Sequence, residues 1–172
     1  MKKERLYDVA LFLIFLIYLS FIAWCILFKY VTPTEVFNPN RYFSRTINIT
    51  PFNDLKNGYF NFADIYGNIF LFIPLGFYLS LYRGRKPLSN LILACFLSIS
   101  FECLQYIFGI GASDITDIIL NTFGTLVGMF LYIIFKLIFK DREKIKKFSV
   151  IIGSVCAVFI AFMVILVFKY NP

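Results

Sequence analysis

Residues 88–139 read LSNLILACFLSISFECLQYIF, GIGASD and ITDIILNTFGTLVGMFLYIIFKLIF, two long apolar runs joined by a short segment rich in glycine. A hydrocarbon core of roughly 30 Å is crossed by about 20 apolar residues of helix, and each run is long enough. Working outward, comparable runs lie at about 7–28, 64–82 and 148–168. The reading is an all-α fold, a polytopic membrane helical bundle of about five transmembrane helices. The span at 64–82 is the weakest, since Asp64 and Asn68 open it and Pro74 and Gly76 interrupt it. Its organisation follows as an N-terminal anchor at 1–28, an extracytoplasmic loop at 29–63, a three-helix core at 64–139 and an additional helix at 148–168.

Composition agrees with a chain solvated largely by lipid. Of 172 residues, 60% are hydrophobic and only 16% are charged, which is more apolar surface than a small soluble domain can bury. The absence of histidine removes Ser-His-Asp catalysis, HExxH metal sites and every zinc or haem site built on imidazole. Cys25, Cys95, Cys103 and Cys156 fall inside apolar runs without CxxC spacing and read as small buried hydrophobes.

A net charge of +7 raises the question of nucleic acid, and the placement of the charges answers it. Lys2, Lys3 and Arg5, then Arg83, Arg85 and Lys86, then Lys136 and the run from Lys140 to Lys147 all fall in connections on one side of the bundle. Lys29, Arg41, Arg45, Lys56 and Lys169 fall on the other, where the acidic residues gather. The positive-inside rule then sets the N-terminus in the cytoplasm and the C-terminus outside, and the cationic rim meets anionic headgroups. No nucleic-acid partner is expected.

Polar side chains within the spans are costly, at roughly 2.5–3.5 kcal/mol for a charge at mid-depth. Here they are ordered. Ser98, Glu102 and Gln105 share one stripe of their helix, Asp114, Asp117 and Asn121 share another, and Asp64 and Asn68 lie one turn apart. Counting back from the shared turn places Glu102 and Asn121 at one depth, roughly 9 Å from the outer ends of their spans. Asn68 falls near the same level. Three helices would therefore face their polar groups into a pocket beneath the outer surface.

Blander roles exist for each piece. Asp114, Asp117 and Asp64 suit helix N-termini, Gln105 and Asn121 suit hydrogen bonds between helices, and Gly124 with Gly128 suits close helix packing. Glu102 has no such role, being remote from any N-terminus and from any basic residue in a span. It is either protonated, paired with Arg41, Arg45 or Lys56 from the loop, or bound to a cation shared with Asp114 and Asp117. With carboxylates and no histidine, that cation would be magnesium, manganese or calcium.

The blocks Ile49-Thr50-Pro51-Phe52, Asn68 to Phe77, Ser98 to Gln105 and Ser113 to Gly124 resemble, in order and spacing, the VanZ-like family of bacterial membrane proteins. The resemblance implies a small helical membrane protein associated with resistance to the glycopeptide teicoplanin. It marks Asn68, Pro74, Gly76, Glu102, Gln105, Asp114, Asp117, Asn121 and Gly124. One departure is that family members often carry an arginine shortly before the position of Asp114, where this chain has Gly109-Ile-Gly111-Ala112-Ser113.

The combined expectation is a bacterial inner-membrane protein that binds or modifies an envelope lipid or a lipid-linked cell-wall precursor. Glu102, Asp117 and Asp114 form the candidate catalytic set, and Asn68, Gln105, Asn121, Ser98 and Asp64 the candidate binding set. Three alternatives stand beside it. These are a metal-dependent intramembrane enzyme on a lipid phosphate, an ion or lipid carrier, and a non-catalytic assembly partner.

Overall fold

The computed structural model describes residues 2–32, 35–36, 38, 40, 43–59, 61–84 and 86–170. Arg41 and Arg85, invoked above as a partner for Glu102 and as part of the cationic rim, lie outside the described residues. In chain order the elements are α1 (Lys2–Leu27), β1 (Ser44–Asn48), α2 (Asn53–Lys56), α3 (Phe62–Arg83), α4 (Pro87–Phe108), β2 (Ile110–Asp114), α5 (Ile115–Phe139) and α6 (Arg142–Tyr170). Helices α1, α3, α4, α5 and α6 are each long and apolar enough to cross a membrane. The fifth span begins earlier than the apolar run suggests, because the charged residues from Arg142 onward form the first turns of α6. The chain divides into two compact units, Ala23–Ile133 and a second made of Met1–Ile22 with Ile134–Pro172.

In the first unit, local chemistry sets the ends of α3 and α4. Asn61 caps α3 by accepting from the N–H groups of Ala63 and Asp64, and Gly84 ends it. Pro87 opens α4 in its first turn, and Gly109 closes it in the left-handed conformation at φ 59°. The buried faces of α3, α4 and α5 are unusually polar, with Asn68, Ser98, Glu102, Gln105, Asn121 and Thr125 inside. Phe70, Phe96 and Phe130, by contrast, are more than half exposed. Such inversion fits helices that meet lipid outside and each other through hydrogen bonds.

Helices α3 and α5 approach at backbone contact. A β-carbon on Gly124 would collide with the Ile69 carbonyl, one on Gly128 with the Ile73 carbonyl, and one on Gly76 with the Thr125 carbonyl. Glycine is required at all three by the crossing itself.

The strand pair is absent from the sequence reading. β1 runs parallel to β2, with Ser44 beside Ile110 and Asn48 beside Asp114. Part of the loop at 29–63 is thereby tied to the connection between α4 and α5.

The second unit brings the start of α1 against α6. Lys146 Nζ lies 2.6 Å from Asp8 Oδ1, and the Phe148 ring sits 5.4 Å from Phe135 and 5.6 Å from Phe139 between centroids. Of the cysteines, Cys103 and Cys156 are exposed, which corrects the expectation of burial. In a membrane helix, an apolar position faces lipid as readily as core.

Candidate functional site

The polar residues singled out by their cost gather into small hydrogen-bonded groups in the part of the first unit where α4 turns into β2 and α5. Glu102 is 4% exposed, so it faces the protein and not the outer surface. Its Oε2 accepts the backbone N–H of Asp114 at 2.9 Å, and its own carbonyl accepts from Ser113 Oγ at 2.7 Å. Glu102 thus holds β2 in place. Arg45 takes a different partner, donating to the Ile107 carbonyl at 2.9 Å with its guanidinium 4.6 Å from the Phe43 ring centroid.

Asp114 acts as the helix cap that its position allows, with Oδ1 accepting from the Thr116 N–H at 2.7 Å. Its Oδ2 accepts from Asn48 Nδ2 at 3.0 Å, an end-of-strand contact across the sheet. Thr116 Oγ1 in turn accepts from the Phe52 N–H at 3.0 Å. Two side chains at the start of α5 therefore fix both β1 and the turn leading into α2.

Asp117 belongs to a second group. Asn68 Nδ2 donates to its Oδ1 at 2.6 Å, and the Lys29 ammonium lies 3.6 Å from its Oδ2 and 3.1 Å from Asp64 Oδ1. Asp64 is not the cap of α3. Asn61 holds that position and donates Nδ2 to Asp64 Oδ2 at 2.7 Å, which turns the carboxylate toward Lys29. Burial alone would lower the Lys29 pKa, but the Asp117 carboxylate, the Tyr30 hydroxyl and the Asp64 carboxylate together raise it above the ordinary lysine range. Lys29 is a fixed cation between two helices. Sequence reasoning counted it only as a loop charge, although a lysine directly after an apolar run, with carboxylates opening two other spans at the same level, was the available signal.

Two further groups complete the set. Asn121 Nδ2 donates to Ser98 Oγ at 2.9 Å, and Gln105 Nε2 donates to the Ile26 carbonyl at 2.9 Å. The eight candidates fall into four separate groups, with Glu102 and Asp114 apart from the Asn68–Asp117–Lys29–Asp64 set, Asn121 with Ser98, and Gln105 on the Ile26 carbonyl.

Cation chemistry on these carboxylates does not fit the arrangement. Among the described residues no group of three or more carboxylate, thiol or imidazole side chains could hold a metal ion. The Lys29 ammonium already sits between Asp64 and Asp117, while Asp114 and Glu102 Oε2 are engaged by N–H donors. The expected magnesium, manganese or calcium site is withdrawn on that ground.

Beside Glu102 runs a groove of about 370 Å³ between α4, β1 and the start of α5. Ile47, Ile49, Ile99, Ile107, Ile115 and Ile118 are among the residues that line it, with Asn48, Glu102, Ser113 and Asp114, and the surface it exposes is apolar. Two glycines where α4 turns into β2 are explained by packing. A β-carbon on Gly109 would lie 2.6 Å from the Phe43 ring, and one on Gly111 3.0 Å from the Tyr30 ring.

Residues 15–139 match the family model described as VanZ/LLP1, which covers all of these groups. The chain belongs to the VanZ/LLP1 family. Protein VanZ from Enterococcus faecium is 38% identical over 118 residues, covering 67% of this chain and 69% of that relative. No solved structure matches. With five helices able to cross a membrane, this VanZ-family chain is a multi-pass membrane protein of the cell envelope, and α6 lies beyond the matched residues.

Proposed function

We propose that this VanZ-family protein binds an envelope lipid or lipid-linked cell-wall precursor in the groove beside Glu102, at the outer leaflet of the bacterial plasma membrane, and thereby alters susceptibility to teicoplanin. The observation that carries the reading is Glu102 itself, a buried carboxylate with Oε1 unpartnered among the described residues, set at the side of an apolar groove open to the surface. A protein rarely keeps an unsatisfied carboxylate oxygen in a lipid-facing helix for packing alone. The bias of basic residues among the connections supports a cytoplasmic N-terminus, and this orientation sets the groove toward the outside.

Roles divide along the pairing. Glu102, with Asp114 next to it, receives the headgroup, and the isoleucine walls receive hydrocarbon. Asn68, Ser98, Gln105 and Asn121 hold the helices in register, while Lys29 locks Asp64 and Asp117. The test is teicoplanin susceptibility in a sensitive bacterial host expressing the full chain. The unaltered chain should raise resistance, and Glu102→Gln at equal membrane abundance should return it to the level of the host. Resistance unchanged by Glu102→Gln rejects the reading.

A further inference from the structure

A second hollow, of about 470 Å³, lies at the turn from α3 into α4. Fifteen residues of α4 separate Pro87 from Glu102, about 22 Å of helix, so this hollow is at the other end of the span. Arg83, Lys86 and Ser89 are among the residues that line it, with Leu88, Ile92 and Leu93, and the surface it exposes is mostly apolar with a polar part. Both cations are exposed, so an incoming group can reach them. Arg83 is held by neutral oxygens, with Nη2 donating to Ser89 Oγ at 2.9 Å and Nε to Asn90 Oδ1 at 3.2 Å. Among the described residues neither cation has an acidic partner, and the nearest acids along the chain are Asp64 and Glu102, toward the far ends of α3 and α4.

The arrangement lacks a negative charge. Arg83 suits the last turn of α3, where the helix dipole favours a cation, but Lys86 is the N-cap residue of α4, where the dipole opposes one. Helix α4 has no side-chain cap and no acid in its first turn. A bias toward basic connections accounts for cations in this segment, but not for a hollow that gathers two of them at an uncapped helix end. Apolar surface continues away from it, since Leu88, Ile92 and Phe96 share one face of α4 and all three are exposed. A phosphate diester spreads one negative charge over two free oxygens, so that a guanidinium and an ammonium can each take one. We propose that this hollow seats the phosphate of an anionic phospholipid against Arg83 and Lys86, with an acyl chain along Leu88 and Ile92. The site is separate from the groove beside Glu102 and does not depend on what that groove binds.

Native mass spectrometry of the full chain in detergent tests this, after incubation with dioleoylphosphatidylglycerol or dioleoylphosphatidylcholine. The two lipids share chains and phosphate and differ in net charge. Half-occupancy by phosphatidylglycerol should need roughly 25-fold less lipid, about fivefold for each cation near a membrane surface. Lys86→Gln, at an exposed position with no side-chain partner among the described residues, should cut that preference to about fivefold, and Lys86→Arg should keep it. Lys147→Gln removes the same charge from an exposed position on α6 and should leave the preference intact. Equal retention of the two lipids overturns the proposal. A preference that survives Lys86→Gln, or that falls as far with Lys147→Gln, belongs to the basic connections as a whole and overturns this hollow as the site. Millimolar inorganic phosphate has the charge without the hydrocarbon and should not displace phosphatidylglycerol, whereas displacement would make the occupant a free anion and overturn the lipid.

Discussion

Lys29 Nζ stands 3.6 Å from Asp117 Oδ2, and that pair decides what the acidic residues of this region are. An aspartate in a membrane span invites a functional reading, yet its counter-ion comes from Lys29, two residues past the end of α1. Removing the ammonium leaves Asp64 and Asp117 facing each other without compensation. Lys29→Met is therefore expected to destabilise the protein by about 2 kcal/mol, less than a fully buried pair because Asp64 is partly solvated. Thermal unfolding in detergent reads the loss, and Lys29→Met with Asp117→Asn should recover part of it. A double variant as unstable as the single one would show that the pair is not what holds Lys29 in place.

The same lysine sets a pH dependence with a definite sign. Its pKa is raised on folding, so the stabilisation is fully present below the ordinary lysine value and is lost as pH rises through the higher folded value. This contribution stays constant through the neutral range and falls only in strong alkali. In the Lys29→Met variant that alkaline loss should shrink, which unfolding curves across alkaline pH would reveal.

The crossing of α3 and α5 gives a prediction in which two glycine substitutions have opposite signs. At Gly124 the added methyl meets the backbone of Ile69, which cannot yield as a side-chain tip would. Gly124→Ala should cost about 1–3 kcal/mol through overpacking. At Gly67, on α3 itself, nothing lies within 4 Å of an added β-carbon. Gly67→Ala should stabilise by about 0.5–1 kcal/mol through helix propensity alone. Equal effects at both positions would show that close approach is not what glycine serves at Gly124.

How far the sequence exposed these relations depends on their range. The spans were legible because apolar length is a local property, and the stripe Ser98, Glu102, Gln105 was legible because a helix repeats every 3.6 residues. The β1–β2 pair was not, since SRTIN and IGASD show no alternation and pair across 66 positions at Asn48 and Asp114. Asp64 was misplaced by three residues as a cap because Asn61, followed three positions later by an acid, is the stronger N-terminal signature. The grouping of the acids was hidden for a different reason. Depth along a helix can be counted, but which neighbour an acid faces depends on how the helices rotate, and here a lysine outside the spans settled it.

The hydrogen bond from Asn48 to Asp114 offers the sharpest separation of fold from site. Asp114 caps α5 with one oxygen and grips β1 with the other, so Asp114→Asn keeps an oxygen for the Thr116 N–H but offers an amide where Asn48 donates. Helix capping should survive within about 0.5 kcal/mol, because asparagine caps nearly as well as aspartate. β1 should instead loosen from β2, and hydrogen exchange of the strand amides should quicken at Ser44–Asn48 while α5 stays protected. The Glu102 contact uses the backbone N–H of Asp114, not its side chain, so the carboxylate should keep that bond and its place at the groove. Faster exchange throughout the first turn of α5 would mean that the charge of Asp114, and not merely its oxygen, anchors the helix.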